Sequence, residues 1–277
     1  MDAGGATDVN EERYRSIERL KLARVSPGVL LVTIDRPHAR NALDVRAHRE
    51  LAEIWRLVDD DPETSVTVIA GEGGAFSAGG DKDLLEEMVV SHEAVLGQLR
   101  DAGALVRAMV DCEKPIVSAI EGVAVGAGLA AALLADISVI GESARLSDGH
   151  ARIGVAAGDH AVLIWPLLCG LARAKYHLLT AGFVDGVEAE RIGLVSRCVP
   201  DAEVRRTALE IAVQLASSSQ SAVRFTKRAL NHWLRDALPA FEHSLALEML
   251  GFLGPDAAEG VAALREKRPP RFPSALA

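Results

Sequence analysis

Three cysteines in 277 residues, Cys112, Cys169 and Cys198, are too few and too scattered for a disulfide framework, and no two of them form a CxxC pair for zinc. A reducing compartment suits such a chain, so a cytoplasmic protein is expected. Positive charge is also short: 30 Lys and Arg stand against 39 Asp and Glu, a formal net charge of -9. That balance argues against nucleic-acid binding, which needs a basic face for phosphates. Long apolar runs are missing too. The longest uncharged one, Ala161 to Ala172, is broken by Pro166 and ends at Arg173, well short of the ~20 residues of a membrane span. The start, MDAGGATDVNEER, is acidic and polar without an apolar centre, so it does not resemble a signal peptide and reads as a disordered tail over residues 1–13.

What is present is the composition of a soluble globule, 49% hydrophobic and 25% charged, with length enough for a sizeable core. IERLKLARV and GVLLVTID read as strands joined through Ser26-Pro27-Gly28 in a hairpin. DVRAHRELAEIWRLVDDD has apolar residues at helical spacing behind Asp44, a plausible N-cap. VTVIAG, PIVSAIEG, ADISVIG and LVSRCVP add strands, with helical stretches between them, so the class is α/β. After Pro200 only helices are expected, roughly 201–218, 221–236, 240–253 and 255–267, with apolar faces left for packing or assembly. Trp55, Trp165 and Trp233 lie on apolar helical faces and read as core or interface.

GEGGAFSAGGD, Gly71 to Asp81, holds five glycines and almost no functional side chain. Glycine and alanine let a ligand approach main-chain N–H groups, and a turn before a helix aims several of them at one spot. EGVAVGAGLAAALLADI is a second stretch of that kind, where Gly126-Ala127-Gly128 opens an Ala/Leu-rich helix. Two such turns make an oxyanion hole for a thioester or ketone oxygen. The segment GAGLAA also fits the G-x-G-x-x-A dinucleotide fingerprint, but GVAV intervenes between strand and turn and the helix is short.

With TIDRPHARNALD, GGAFSAGGD, KPIVSAIEGVAVGAGLAAALLADI, RIGLVSRCVP and LREKRPPRF in this order, the chain resembles the crotonase (enoyl-CoA hydratase/isomerase) superfamily over about residues 17–272. The resemblance implies a crotonase-like ββα spiral core over 14–200 and a C-terminal helical trimerisation region over 201–277. It further implies a homotrimer or hexamer and a coenzyme A thioester as substrate, with no cofactor of its own. By motif position it places the oxyanion hole on the N–H groups of Ala78 and Ala127. Gly79, Gly126 and Gly128 then touch substrate, and Arg36, Arg40 and Lys267 sit near the CoA phosphates, the last from a neighbouring subunit.

Hydratases of this family carry two glutamates at positions that read here Ala130 and His150. Neither carboxylate is present, so standard hydration is not expected. Nine residues after His150 stands Asp159, in SDGHARIGVAAGDH, and a histidine oriented by a carboxylate is a competent general base. That pairing resembles the β-diketone hydrolase branch of the superfamily, the 6-oxocamphor hydrolase type, which cleaves a C–C bond between two carbonyls without CoA. Asp159 reads equally as an N-cap before HAVLIWPLL, and His160 as a surface residue at that helix start. Asp148 is a spare carboxylate nearby; His38 and Glu248 are weaker polar candidates, and no cluster has metal-ligand spacing. Three functions stay open: an acyl-CoA enzyme with unorthodox acid/base groups, a CoA-independent diketone hydrolase using His150 and Asp159, and a non-catalytic binding member of the fold.

Overall fold

A computed structural model of the chain describes residues 7–9 and 12–275. Part of the expected tail is ordered: β1 (Thr7–Asp8) pairs antiparallel with β2 (Leu20–Ser26), and Glu12–Tyr14 form a 3-10 turn. Residues 1–6 and 10–11 lie outside the described ones. The expected hairpin closes between β2 and β3 (Gly28–Ile34), with Gly28 at φ +74°. Asp44 caps α1 (Val45–Asp59) by accepting the Ala47 N–H at 2.8 Å.

The chain continues through β4 (Thr64–Gly71), α2 (Lys82–Met88), α3 (His92–Asp111), β5 (Ile116–Ile120), β6 (Val123–Val125), α4 (Gly126–Leu133), β7 (Ile137–Gly141) and β8 (Arg145–Ser147). After α5 (Ala161–Cys169), α6 (Leu171–Thr180), β9 (Val184–Asp185), α7 (Gly186–Arg191) and β10 (Arg197–Val199) come α8 (Val204–Ala216), α9 (Gln220–Leu230), α10 (His232–Phe252) and α11 (Pro255–Glu266). The main sheet runs β1-β2-β3-β4-β5-β7-β10 and is parallel from β3 onward, while β6, β8 and β9 form a second, small sheet. A parallel strand is covered on both faces, and its side chains alternate between two packed layers. In β4, Val66, Val68 and Ala70 pack with Ala208 and Ala212 of α8, whereas Ile69 joins the cluster holding Leu51, Ile54 and Trp55 of α1 and Met109 of α3.

The C-terminal helices therefore complete the core rather than form a layer apart from it. Two expected helix boundaries shift. The break falls at Asn231, whose side-chain amide donates to the Val110 carbonyl at 2.9 Å, and α10 runs on through Pro239. Pro239 is exposed on α10, and the helix continues through it at the loss of one backbone donor. Trp55 and Trp165 are core residues, and Trp233 is 68% exposed. No helix among the described residues is long and apolar enough to cross a membrane.

Candidate active site

The two glycine-rich turns lie side by side. Ser77 donates its N–H to Val123 O and accepts the Val125 N–H, both at 3.0 Å, and a Cβ on Gly128 would stand 2.3 Å from the Ser77 side chain. Gly128 is thus bare so that the turns can pack, and it does not line the cavity beside them. Gly79 has φ +89°, and a Cβ there would meet Val125 O at 3.1 Å. A cavity of ≈ 390 Å³ opens at this junction, lined by Ala78, Gly79, Gly80, Gly126 and Ala127 among others.

The backbone donors differ from the expected pair in one member. The Ala78 N–H is already spent on the carbonyl of Arg40, at 2.9 Å. The Gly79 N–H goes to Ser77 Oγ at 3.2 Å. Gly80 and Ala127 have no acceptor for their amides among the described residues, the latter because it lies in the first turn of α4, where no helical carbonyl precedes it. Within the two glycine-rich turns, the Gly80 and Ala127 amides are therefore left free at the cavity wall.

Opposite them stands His150, on the short 3-10 turn His150–Ile153 between Gly149 and Gly154, both in left-handed conformation. Three buried carboxylates surround its ring: Asp148 Oδ2 lies 3.0 Å from Nδ1, while Glu248 Oε1 and Asp159 Oδ2 lie 3.4 and 3.7 Å from Nε2. The Asp148 contact is close but off the N–H direction, so Nδ1 makes no well-formed hydrogen bond. Burial alone would push the imidazole down; the charges of Asp148, Asp159 and Glu248 outweigh it and raise His150 well above the usual histidine value. That shift favours the protonated ring, which suits a proton donor, whereas the sequence reading expected a general base. Burial raises Glu248, against the pull of His150. Asp159 is buried as well, but His150 and His160 overcome the desolvation and hold it low, as a carboxylate.

His160 is the second correction. It is fully buried rather than on the surface, and its Nδ1 lies 2.5 Å from Asp159 Oδ1. The Trp165 indole N–H, which can only donate, points at His160 Nε2 from 3.3 Å. Nε2 must then carry the lone pair, so the proton sits on Nδ1 and is donated to Asp159. The Asp159 carboxylate is engaged there and caps no helix: α5 starts without a side-chain cap. Asp148, Asp159 and His160 bring ligand-type atoms within 4.8 Å of one another. Both ring nitrogens of His160 are already committed, so the set does not fit a cation without breaking these bonds.

A third histidine escaped the sequence reading. His48 is 1% exposed and lines the cavity from α1. Its Nδ1 faces the Asp44 carbonyl at 3.2 Å, which fixes the proton there, and its buried Nε2 has no partner among the described residues. Burial, against the pull of nearby carboxylates, lowers its pKa below the usual value, so the imidazole is neutral. The signal in the sequence was a histidine on the same helical stripe as Leu51 and Trp55.

The expected cations do not gather. Arg36 is bound to Asp81 at 2.9 Å, and His38 and Lys267 are exposed away from the cavity wall; only Arg40 lines it. Glu248, a weak candidate from sequence, is a wall residue supplied by α10. Ala130 is buried in the core and does not face the cavity.

A sequence profile described as enoyl-CoA hydratase/isomerase matches residues 24–275. The chain belongs to the enoyl-CoA hydratase/isomerase family. It is similar to a probable enoyl-CoA hydratase from Rhodobacter capsulatus, 33% identical over 252 residues that cover 90% of this chain and 95% of the relative. A crystal structure of an enoyl-CoA hydratase/isomerase from Mycobacterium paratuberculosis has a TM-score of 0.84 at 33% identity, covering 88% and 97% of the two chains. A β-diketone hydrolase from the cyanobacterium Anabaena, bound to (S)-3-oxocyclohexyl acetic acid, has a TM-score of 0.81 at 25% identity, covering 88% of this chain and 98% of that one. Within this family fold, the side chains facing the paired amides here are histidines and carboxylates around His150.

Proposed function

We propose that this family member hydrolyses the carbon–carbon bond between two carbonyls of a β-diketone, without coenzyme A. The observation that carries the reading is the buried His150 ring, set among the carboxylates of Asp148, Asp159 and Glu248 in the same cavity as the free amides of Gly80 and Ala127 and the unpartnered Nε2 of His48. The similarity to the Anabaena hydrolase supports it.

In this scheme His48 Nε2 takes a proton from water as the water oxygen bonds to one carbonyl carbon. The C–C bond then breaks, and its electron pair passes into an enolate on the departing ketone fragment. The Gly80 and Ala127 amides hold the enolate oxygen, an arrangement in which each donor is typically worth ~100- to 1000-fold in turnover. His150 delivers its proton to the enolate carbon, giving a ketone and a carboxylic acid. Transfer of the proton from His48 to His150 restores the site. Asp159, aligned by His160, keeps His150 charged until the proton is needed.

The test is to follow acetylacetone and a cyclic β-diketone by loss of the enolate absorbance and release of carboxylate, with no CoA present, alongside hydration of crotonyl-CoA. One carboxylate released per diketone consumed supports the reading. Hydration at ordinary hydratase rates with intact diketones overturns it. The acyl-CoA reading is the second one, favoured by the names of the relatives and by Arg40 on the cavity wall. Against it, Arg36 is already paired and Lys267 is off the wall. Tight binding of coenzyme A by calorimetry would favour it.

A further inference from the structure

Arg152 follows His150 by two residues on the same 3-10 turn, and its guanidinium carbon lies 4.5 Å from the centre of the Phe183 ring. Arg145, from β8, stacks on the same ring at 4.4 Å. Arg152 and Phe183 both line the cavity that contains His150 and the free amides. Both arginines are exposed, and neither has a carboxylate within 4.0 Å among the described residues. Arg36 and Arg205, by contrast, are paired with Asp81 and Glu121. Two guanidinium groups on one ring repel each other, and the ring face compensates each by only ~0.5–1 kcal/mol at an exposed site. An anion at the cavity mouth would relieve that repulsion. A guanidinium held over an aromatic ring is restricted in position while its N–H groups keep their capacity to donate, and a guanidinium can take a carboxylate through two parallel hydrogen bonds.

We propose that Arg152, held by Phe183 and backed by Arg145, is an anion subsite, and that the natural substrate carries a carboxylate remote from the carbonyls between which the bond breaks. The inference rests on the diketone-hydrolase reading and narrows it to anionic β-diketones. Water attack, with His48 as base, leaves this additional carboxylate untouched, so the products would be a ketone and a carboxylic acid, one of them bearing it.

The experiment compares succinylacetone, which carries a terminal carboxylate, with butyrylacetone, its neutral analogue of equal length. The wild type is expected to favour succinylacetone in kcat/KM by roughly tenfold or more, the scale of one charge-assisted pair. In Arg152→Gln that ratio should fall towards one, the loss residing in the KM for succinylacetone, and raised salt should erode the wild-type preference. An unchanged ratio in Arg152→Gln overturns the proposal. Glutarate binding by calorimetry separates this failure from failure of the functional reading: if neither diketone is cleaved, weaker glutarate binding to Arg152→Gln than to wild type still supports the subsite, and equal or absent binding overturns it. Coenzyme A binding that drops in Arg152→Gln while glutarate binding does not would assign the arginine to a phosphate and likewise refute a substrate carboxylate.

Discussion

The indole N–H of Trp165 donates to Nε2 of His160 across 3.3 Å, and this one contact decides which nitrogen of that histidine holds the proton. His160 then gives its Nδ1 proton to Asp159, whose other oxygen faces His150. A residue deep in the core is in this way connected to the His150 ring on the cavity wall. Trp165→Phe removes the donor and keeps the bulk, so the fold should survive while His160 becomes free to take either tautomer. Turnover is expected to fall by roughly tenfold. Asp159→Asn should cost more, on the order of 100-fold or above, because a mis-set tautomer and a missing charge act together. Equal activity in both variants and wild type would remove this chain of contacts from the mechanism.

The pH dependence follows from two histidines shifted in opposite directions. His48 is lowered by burial, so as a base it is already unprotonated below pH 6.5, and the rising limb of kcat/KM should lie on that side. His150, raised by its three carboxylates despite burial, stays protonated well above 6.5, and the falling limb should lie there. The expected profile is a broad plateau across neutrality. His48→Gln should lose the rising limb and His150→Gln the falling one, whereas a single rising limb that vanishes in His150→Gln would restore His150 as the base.

Stability carries the same His150 shift with its own sign. A folded-state pKa above the unfolded one means that the folded protein binds the proton more tightly, so the contribution is complete below pH 6.5 and disappears as pH rises through the folded value. Urea titrations of wild type and His150→Gln should therefore show their largest stability gap at mildly acidic pH and a shrinking gap above neutrality. A gap that grows with pH would contradict the imidazolium assignment.

Backbone donors are tested by proline, which deletes an N–H. Ala127→Pro falls in the first turn of α4, where that amide has no helical acceptor, so the helix should tolerate it while turnover drops ~100- to 1000-fold. The readout pairs steady-state rates with the far-ultraviolet dichroism melt. A folded variant at full rate would show that the amide holds nothing.

Assembly is the remaining expectation. Phe225, Trp233 and Leu250 are 68%, 68% and 64% exposed on α9 and α10, more apolar surface than a solitary helix face commonly leaves to water. Sedimentation at micromolar concentration should give a trimer or hexamer, and Trp233→Glu with Leu250→Glu should shift it to smaller species. A monomeric wild type would count against these helices as interfaces.

Local chemistry made much of this readable beforehand. The hairpin at Gly28, the Asp44 cap of α1 and the apolar runs of β4 and β5 depend on neighbours in sequence, and they form where the residues predict them. The two glycine-rich turns were also visible, because only small residues permit such close backbone approach. What sequence could not assign is which amides remain free, since Ala78 loses its donor to Arg40, a residue 38 positions away whose carbonyl is brought there by folding. Nor could it assign charge. His48, His150 and His160 are the same side chain with the same intrinsic pKa, yet one is pushed down by burial, one is raised by three carboxylates from separate segments, and one has its tautomer set by an indole. Distance and dielectric decide protonation, and both come into being only when Glu248 from α10 and His48 from α1 are packed around the turn that carries His150.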